Sequence, residues 1–343
     1  MTLRNHDGGV ALRSPTRLES RLRDALARAT DSGDDGTLEV LVGAHPCDDR
    51  DAMATLAVVH ELSMAPIDTL GGVEVWQHHP AVADLRWRLE GRLVELLDVW
   101  ADEHLPEPVP EEGPVATVRR LARFDAVPEV YRWLAEEASY DELVSFLALE
   151  GGPDGGFDDL VALAQVGLSG RPKMELARNY WDEMGRGTLA EVHTELHRRL
   201  STALDMHGVA AVEAPLSALV RGVLGSYLAL SRFRHPEALG AFGLIELQAG
   251  PRCRRVLRAL ERLDAPAEVV PFYAEHAEAD PRHGKDWLDG AIAELAEQPR
   301  WAEGIVRGAR WRAAAGTRFF QDALELVARP AADRLVGSGA RAS

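Results

Sequence analysis

The stretch PFYAEHAEADPRHGKDW, residues 271–287, contains two histidines and an aspartate at helical spacing. His276, Asp280 and His283 follow one another at i, i+4 and i+7, so on a helix they lie within roughly 60° of one another. Two imidazoles and a carboxylate form a mixed nitrogen and oxygen set that suits iron(II). The alternative is a solvated polar helix face. Pro281 predicts a kink, or the end of the helix, between the last two candidate ligands.

A second informative stretch, ELARNYWDEMGRGTLAEVHTELHRRL, lies upstream at residues 175–200. Its periodicity predicts one helix over 172–205. On an ideal helix Glu183 and His193 are roughly 80° apart, so they are not strictly aligned. Gly185 and Gly187 lie between them and indicate a local distortion or a close approach of the backbone. His197, one turn beyond His193, is interpreted as a polar residue on the same helix face.

Two further carboxylates occur in apolar surroundings. Glu150 closes the run VSFLALE, and Glu246 lies within AFGLIELQAG. A buried carboxylate is costly unless it is paired or bound to a metal, so both are candidate ligands. A helix end that faces solvent is the alternative for Glu150. Glu246 is harder to interpret in that way, because apolar residues surround it.

These stretches together resemble the haem-oxygenase-like diiron oxidases and oxygenases, a family of iron-containing redox enzymes. The resemblance covers roughly residues 140–290. It depends on the Glu-x9-His pair of Glu183 and His193 and on the later His-x3-Asp-x2-His motif of His276, Asp280 and His283. It implies a mainly α fold, a haem-oxygenase-like helical bundle. It also implies that the first pair ligates one iron and that the later motif holds the other region of the site.

The resemblance extends to the remaining carboxylates. An acidic residue upstream, here Glu150, completes the arrangement in the N-oxygenating members. Other members take a carboxylate about fifty residues after the first histidine, and Glu246 fits that spacing. The choice between Glu150 and Glu246 stays open. Certain members also carry a glutamate three or seven residues before the first histidine, where this chain has Ala190 and Arg186.

The activity that the resemblance implies is that of a non-haem diiron oxidase or oxygenase. It would hold two Fe(II) per chain, use O2 as a co-substrate and need neither haem nor a nucleotide. The Glu183-to-His193 spacing is most similar to that of members that N-oxygenate an amine or an amino-acid-like compound in specialised metabolism. The alternatives are C–H abstraction with desaturation, decarboxylation or C–C cleavage at the same site, or a metal-free relative acting as a cofactorless oxidase or a binding scaffold.

Outside these motifs the chain is predicted to comprise a small N-terminal α/β extension over residues 1–80, a helical diiron domain over 81–335 and a flexible tail over 336–343. Short β-branched runs at 38–42 and 72–76 predict two strands in the extension, with helices at 17–30 and 48–63. Four aromatic residues beside the candidate ligands are expected to pack in the core, with the alternative that one or two of them shape a pocket or shield reactive iron–oxygen species: Tyr180, Trp181, Tyr273 and Trp287. Further helices are predicted at 81–103, 115–123, 127–136, 140–150, 157–168, 211–232, 235–248, 251–263, 265–280, 283–297, 300–314 and 316–335.

Composition excludes several other classes of protein. The chain has 38 basic and 55 acidic residues, a net charge of −17, which disfavours nucleic acid as a partner. No apolar run is long enough to span a membrane, and the N-terminus has no secretory pattern. Two cysteines fit a reducing cytoplasm. The sequence contains neither a Gly-x-Gly-x-x-Gly motif nor a phosphate loop, so nothing supports a nucleotide cofactor.

The expected partners are a small-molecule substrate and a second copy of the chain in a homodimer. An external electron donor is an open option.

Overall fold

The computed structural model describes residues 17–328, apart from residues 110, 155 and 207–213, and it describes only the backbone of residues 152–154. Fifteen α-helices and no β-strand occur in this part of the chain, so the predicted mainly α class is confirmed. The chain divides into two compact units, Met1–Arg88 and Leu89–Ser343. The predicted domain boundary at residue 80 and the predicted tail stay predictions, and the tail lies outside the described residues. None of the described helices is both long and apolar enough to cross a bilayer.

The first unit contains three helices and the start of a fourth. Its first helix begins at Leu18 because the buried carboxylate of Asp51 accepts hydrogen bonds from the backbone N–H groups of Leu18 and Glu19, at 2.9 and 3.2 Å. Asp51 belongs to the second helix, so this contact also ties the two helices together. The helices are α1 (Leu18–Ser32), α2 (Asp49–Met64), α3 (Ile67–Leu70) and α4 (Pro80–His104), of which α4 continues into the second unit.

The two predicted strands of this unit are wrong. Residues Asp35–Leu41 and Val73–His78 form 3₁₀ helices instead. In the first of these, Leu38 and Leu41 are both buried, and their spacing of three matches the period of a 3₁₀ helix. A β-branched run forms a strand only when a partner supplies its hydrogen bonds, and the described residues contain no such partner. The expected α/β extension is therefore helical where it is described.

The second unit is a bundle of helices around one long central helix, α12. Beyond α4 its helices are α5 (Pro114–Phe124), α6 (Glu129–Glu136), α7 (Tyr140–Asp154), α8 (Phe157–Ala164), α9 (Gly170–Glu183), α10 (His193–Ala203), α11 (Leu216–Leu230), α12 (His235–Arg262), α13 (Val270–Asp286), α14 (Ala293–Leu295) and α15 (Pro299–Val327). A π-helical segment, Trp287–Ile292, joins α13 to α14.

Helices α12 and α15 approach so closely that glycines are required where they cross. A Cβ atom added to Gly240 would lie 1.9 Å from the carbonyl oxygen of Ile305, and one added to Gly308 would lie 1.9 Å from that of Glu237. Leu239, the neighbour of Gly240 on α12, is completely buried. This crossing fixes α12 in the centre of the bundle, where its other face meets α13.

Helix α13 runs through Pro281 without ending, contrary to the predicted break. Proline leaves the carbonyl four residues earlier without its helical donor, and that carbonyl belongs to Ala277. The side chain of Arg254 on α12 donates to it at 3.0 Å, so the loss is compensated. The proline ring packs against Gly250, where a Cβ atom would lie 2.9 Å from the ring. All three candidate ligands of α13 therefore lie on one helix.

Several predicted helix boundaries also differ. The predicted helices 235–248 and 251–263 are one helix, α12, with Pro251 inside it. The helix predicted at 172–205 is instead two helices, α9 and α10, with a tight turn between them. The last predicted helix ends at Val327 in α15, and residues 329–335 lie outside the described part of the chain.

Candidate metal centre

The turn between α9 and α10 brings Glu183 and His193 together. Gly185, Arg186 and Gly187 adopt positive φ angles of 58°, 53° and 88°, which reverse the chain directly after Glu183. The reversal is so tight that a Cβ on Gly185 would lie 2.5 Å from the carbonyl carbon of Glu191. As a result, Nδ1 of His193 lies 2.6 Å from Oε2 of Glu183.

His276 of α13 completes a first group with these two residues. The ligand atoms of Glu183, His193 and His276 all lie within 4.8 Å of one another, and the two imidazole rings are 4.5 Å apart. Glu183 and His193 are buried, and His276 is partly buried. Two imidazoles and one carboxylate with water largely excluded form a set of donors that a divalent metal ion can bind.

A second group shares Glu183 with the first. The ligand atoms of Glu183, Glu246 and His283 also lie within 4.8 Å of one another, and all three side chains are buried. Oε2 of Glu246 lies 3.5 Å from Nδ1 of His283, and Oδ1 of Asp280 lies 3.8 Å from the same nitrogen. Since one carboxylate has two oxygens, Glu183 can serve both groups at once.

Hydrogen bonds select the nitrogen that each imidazole on α13 offers to a metal. Nδ1 of His276 lies 2.6 Å from the carbonyl oxygen of Phe272, which can only accept, so Nδ1 carries the proton and Nε2 is left with its lone pair. His283 is oriented in the opposite way. Its Nε2 lies 2.8 Å from Oδ2 of Asp182, so Nε2–H donates to that carboxylate and Nδ1 faces Glu246 and Asp280. Metal-binding histidines commonly have such an outer partner.

Several buried polar atoms of the centre have no hydrogen-bond partner within the described protein. They are Nε2 of His193, Oδ2 of Asp280 and Oδ1 of Asn179. An unsatisfied buried polar group costs about 1–3 kcal/mol, so a cluster of them indicates that a bound group satisfies them. The donors are nitrogen and carboxylate oxygen without thiolate, which fits iron(II).

The charges of the centre also favour a bound cation. Burial lowers the pKa of His283, but the contacts with Glu246 and Asp182 outweigh it and raise that pKa to about 9. Burial and the charge of His193 lower the pKa of His276 to about 4. Burial and the charge of Glu246 raise the pKa of Asp280 well above its usual range. Carboxylates that repel one another in this way are stabilised when a divalent cation lies between them.

Residues 145–317 match the profile of a protein family described as iron-containing redox enzymes, which have a haem-oxygenase-like fold. The chain belongs to this family. The matched segment contains both groups and confirms the resemblance predicted from the motifs, whereas the N-oxygenating subtype stays a prediction. No curated protein matches the chain.

The structure brings together most of the predicted site residues of this iron-containing redox enzyme. Glu183, His193, Glu246, His276 and His283 form the two groups, and Asp280 lies beside the second. Glu150 belongs to neither group. Instead its carboxylate accepts a hydrogen bond from the hydroxyl of Tyr131, and Arg221 donates to its backbone carbonyl at 3.3 Å.

Asp158 is a candidate that the sequence motifs did not identify. It lies in the first turn of α8, and its Oδ1 is buried without a hydrogen-bond partner in the described part of the chain. Burial raises its pKa, and the charges of Asp159 and Glu183 add to the effect. Asp158 is therefore a carboxylate within electrostatic range of the shared ligand. Its place in GFDDL, directly after a glycine-rich loop, is equally typical of an ordinary helix start.

Asp182 and Asn179 were also missed, although both lie in the α9 stretch. Asp182 is the hydrogen-bond acceptor of His283, and Asn179 donates through Nδ2 to Oε1 of Glu246 at 3.0 Å. Each residue forms a hydrogen bond with a candidate ligand, and no spacing in the sequence predicts such a contact. Of the flanking aromatic residues, Tyr273 and Trp287 are buried as predicted. Trp181 is 55% exposed, which is contrary to a place in the core and fits the alternative that it shapes a pocket.

Proposed function

We propose that this enzyme is an O2-activating non-haem diiron oxidase or oxygenase that acts on a small organic substrate. The observation that supports this best is the position of Glu183 in both groups of candidate ligands. A carboxylate shared by two sets of nitrogen and oxygen donors is suited to bridge two iron ions. If only one ion were bound, one of the two groups of donors around Glu183 would have no metal to hold.

The proposed ligand set divides between the two ions. Glu183, His193 and His276 would hold the first, with Asp158 as a further carboxylate. Glu183, Glu246 and His283 would hold the second, with Asp280 beside them. When bound, iron(II) supplies the electrons that reduce dioxygen for the oxidation of the substrate. No part of the proposal requires haem or a nucleotide.

The side chains themselves have three roles in this proposal. The carbonyl of Phe272 and the carboxylate of Asp182 keep the imidazoles of His276 and His283 in the tautomers that offer a lone pair to a metal. Burial of the ligands limits the access of water. Three protein donors in each group would leave room for dioxygen on a bound iron ion.

Within this class we favour N-oxygenation of an amine or amino-acid-like compound, on the spacing of Glu183 and His193. We also propose that the partners include an external electron donor and a second copy of the chain in a homodimer. Nucleic acid is not a proposed partner. The cytoplasm is the proposed location, since neither Cys47 nor Cys253 forms a disulfide bond.

The test is an anaerobic titration of the metal-free enzyme with iron(II), followed by mixing with dioxygen in a stopped-flow spectrometer. We expect about two iron ions per chain and rapid consumption of oxygen. Glu183→Ala should lose most of the iron and all of the oxygen consumption. The matched control is Glu278→Ala, because Glu278 is an exposed residue on the ligand helix α13. Binding of one ion only, or full activity of Glu183→Ala, would overturn the proposal.

A further inference from the structure

A cleft beside the metal centre lies between α9 and α13. Its volume is about 460 Å³, which falls in the range of small-molecule sites. Helix α9 contributes Asn179, Trp181 and Asp182 to its lining, and the other wall includes His283 and Trp287. Because His283 is a candidate ligand, a molecule in this cleft would lie directly against the second group.

Two fully buried polar groups line the cleft without a partner in the described protein. Asn179 is 2% exposed and its Oδ1 accepts no hydrogen bond, and Trp287 is 0% exposed and its indole Nε1 donates none. The orientation of the Asn179 amide follows from chemistry, because its other end contacts the carboxylate of Glu246 and so must be the Nδ2 donor. The cleft thus offers one buried acceptor and one buried donor. Each costs about 1–3 kcal/mol if nothing satisfies it, which indicates a polar ligand.

The charged groups of the cleft select the sign of that ligand. Arg178 donates to Glu175 at 2.8 Å, and Arg282 donates to Asp182 at 2.9 Å, so each guanidinium group is neutralised by a carboxylate. The remaining lining carboxylate, Asp286, has no ion-pair or hydrogen-bond partner for its side chain among the described residues. Asp286 is therefore a lining carboxylate without a cationic partner in the described part of the chain, and a positively charged group placed against it is the complementary ligand.

An exposed aromatic ring completes this arrangement. Trp181 leaves 55% of its surface open to solvent although it lines the cleft beside the metal ligands. Indole faces attract ammonium and guanidinium groups, so an otherwise unfavourable exposed tryptophan is suited to contact a cationic ligand. Asp286 and Trp181 lie on the two opposite helices that form the cleft.

We propose that this cleft binds the substrate through a protonated nitrogen, with Asp286 as the counter-ion and with Asn179 and Trp287 orienting a polar group beside His283. This inference rests on the proposed function, since it assigns the substrate class of the same site. A protonated nitrogen has no lone pair to be oxidised. The nitrogen at Asp286 is therefore an anchor, and the substrate carries a second group that reacts near the metal.

The test compares three probes of equal length, hexylammonium, hexan-1-ol and hexanoate, by isothermal titration calorimetry on the full chain. Titrations are made on the metal-free protein and on the protein loaded anaerobically with iron(II). We expect hexylammonium to bind about tenfold more tightly than either other probe. Asp286→Asn should remove this preference. Asp289→Asn is the matched control, because Asp289 is paired with Lys285 at 3.2 Å and does not line the cleft.

Equal binding of the three probes, or a preference for hexanoate, would overturn the proposal. A preference for hexylammonium that survives in Asp286→Asn would overturn the role of Asp286. Iron uptake and oxygen consumption are measured separately. Loss of cation binding with two ions taken up would contradict this inference alone, and cation binding without iron uptake would contradict the diiron proposal while supporting the cleft.

Discussion

The imidazole of His283 lies between two carboxylates of different elements, with Nε2 at 2.8 Å from Oδ2 of Asp182 and Nδ1 at 3.5 Å from Oε2 of Glu246. Asp182 is the residue directly before Glu183, the ligand shared by both groups. In the last turn of α9, the carboxylate of Glu183 therefore faces the candidate metal position. The carboxylate of Asp182, one residue earlier, accepts the hydrogen bond of the histidine ligand. This arrangement makes Asp182 a positioning residue for His283.

Removal of this acceptor should weaken iron binding without unfolding the protein. We expect Asp182→Ala to weaken the affinity for iron(II) by about 10–100-fold, the usual effect of losing an outer partner of a metal-binding histidine. Asp182→Asn keeps an oxygen that can accept from Nε2–H, so it should retain part of the affinity. The measurement is an anaerobic titration against a competing iron(II) chelator, with circular dichroism to verify the fold.

The control for this prediction separates the hydrogen bond from the ion pair. Asp182 also accepts from Arg282 at 2.9 Å, and Arg282 is an exposed residue. Arg282→Gln removes the ion pair and leaves the contact with His283 in place. If Arg282→Gln weakens iron binding as much as Asp182→Ala, the effect comes from the surface charge and the positioning role is wrong.

Single substitutions outside the shared residue should remove one ion each. His193 belongs only to the first group and Glu246 only to the second. We therefore expect His193→Ala and Glu246→Ala each to retain about one iron per chain, in contrast to the near-complete loss in Glu183→Ala. Iron is counted after anaerobic loading and gel filtration. Loss of both ions in each single variant would mean that the two groups form one cooperative site.

The two acidic candidates upstream of Glu183 should behave differently. Asp158→Asn should lower the affinity for the first ion, because this carboxylate lies near Glu183 with an unsatisfied oxygen. Glu150→Ala should leave the iron count unchanged and instead lower the stability of the fold by about 1–3 kcal/mol, because it removes the acceptor of the buried hydroxyl of Tyr131. Iron titration and thermal unfolding of both variants distinguish these results. The opposite pattern would restore Glu150 as the ligand.

The part of the site that depends on local periodicity could be predicted from the sequence. His276, Asp280 and His283 share one helix face because their spacing matches the helical repeat, and the structure keeps them together even across Pro281. The predicted end of the helix at that proline was wrong for a non-local reason. The carbonyl that Pro281 leaves free is satisfied by Arg254, a residue on another helix, and sequence spacing contains no information on such a contact.

The contacts between helices could not be predicted in the same way. Glu150 and Glu246 both close or interrupt apolar runs, and only the packing of α12 against α13 brings Glu246 rather than Glu150 beside His283. Glu183 and His193 would be misaligned on one continuous helix, and the turn at Gly185 brings them within 2.6 Å. The prediction of two N-terminal strands was wrong for a related reason. A strand forms only with a partner strand, and the sequence of the run does not specify that partner.

The crossing of α12 and α15 provides a test of the bundle itself. A Cβ atom on Gly308 would overlap the backbone of Glu237, and backbone cannot move aside without shifting α12, so Gly308→Ala should destabilise the fold by about 1–3 kcal/mol. Gly316 on the same helix is a matched control, since the nearest atom to an added Cβ is Phe320 Cε2 at 3.7 Å, an ordinary contact. Gly316→Ala should stabilise the fold by about 0.5–1 kcal/mol through helix propensity alone. The two variants should therefore shift the thermal unfolding midpoint in opposite directions, and a rise in both would contradict the close crossing that keeps Glu246 in the centre of the bundle.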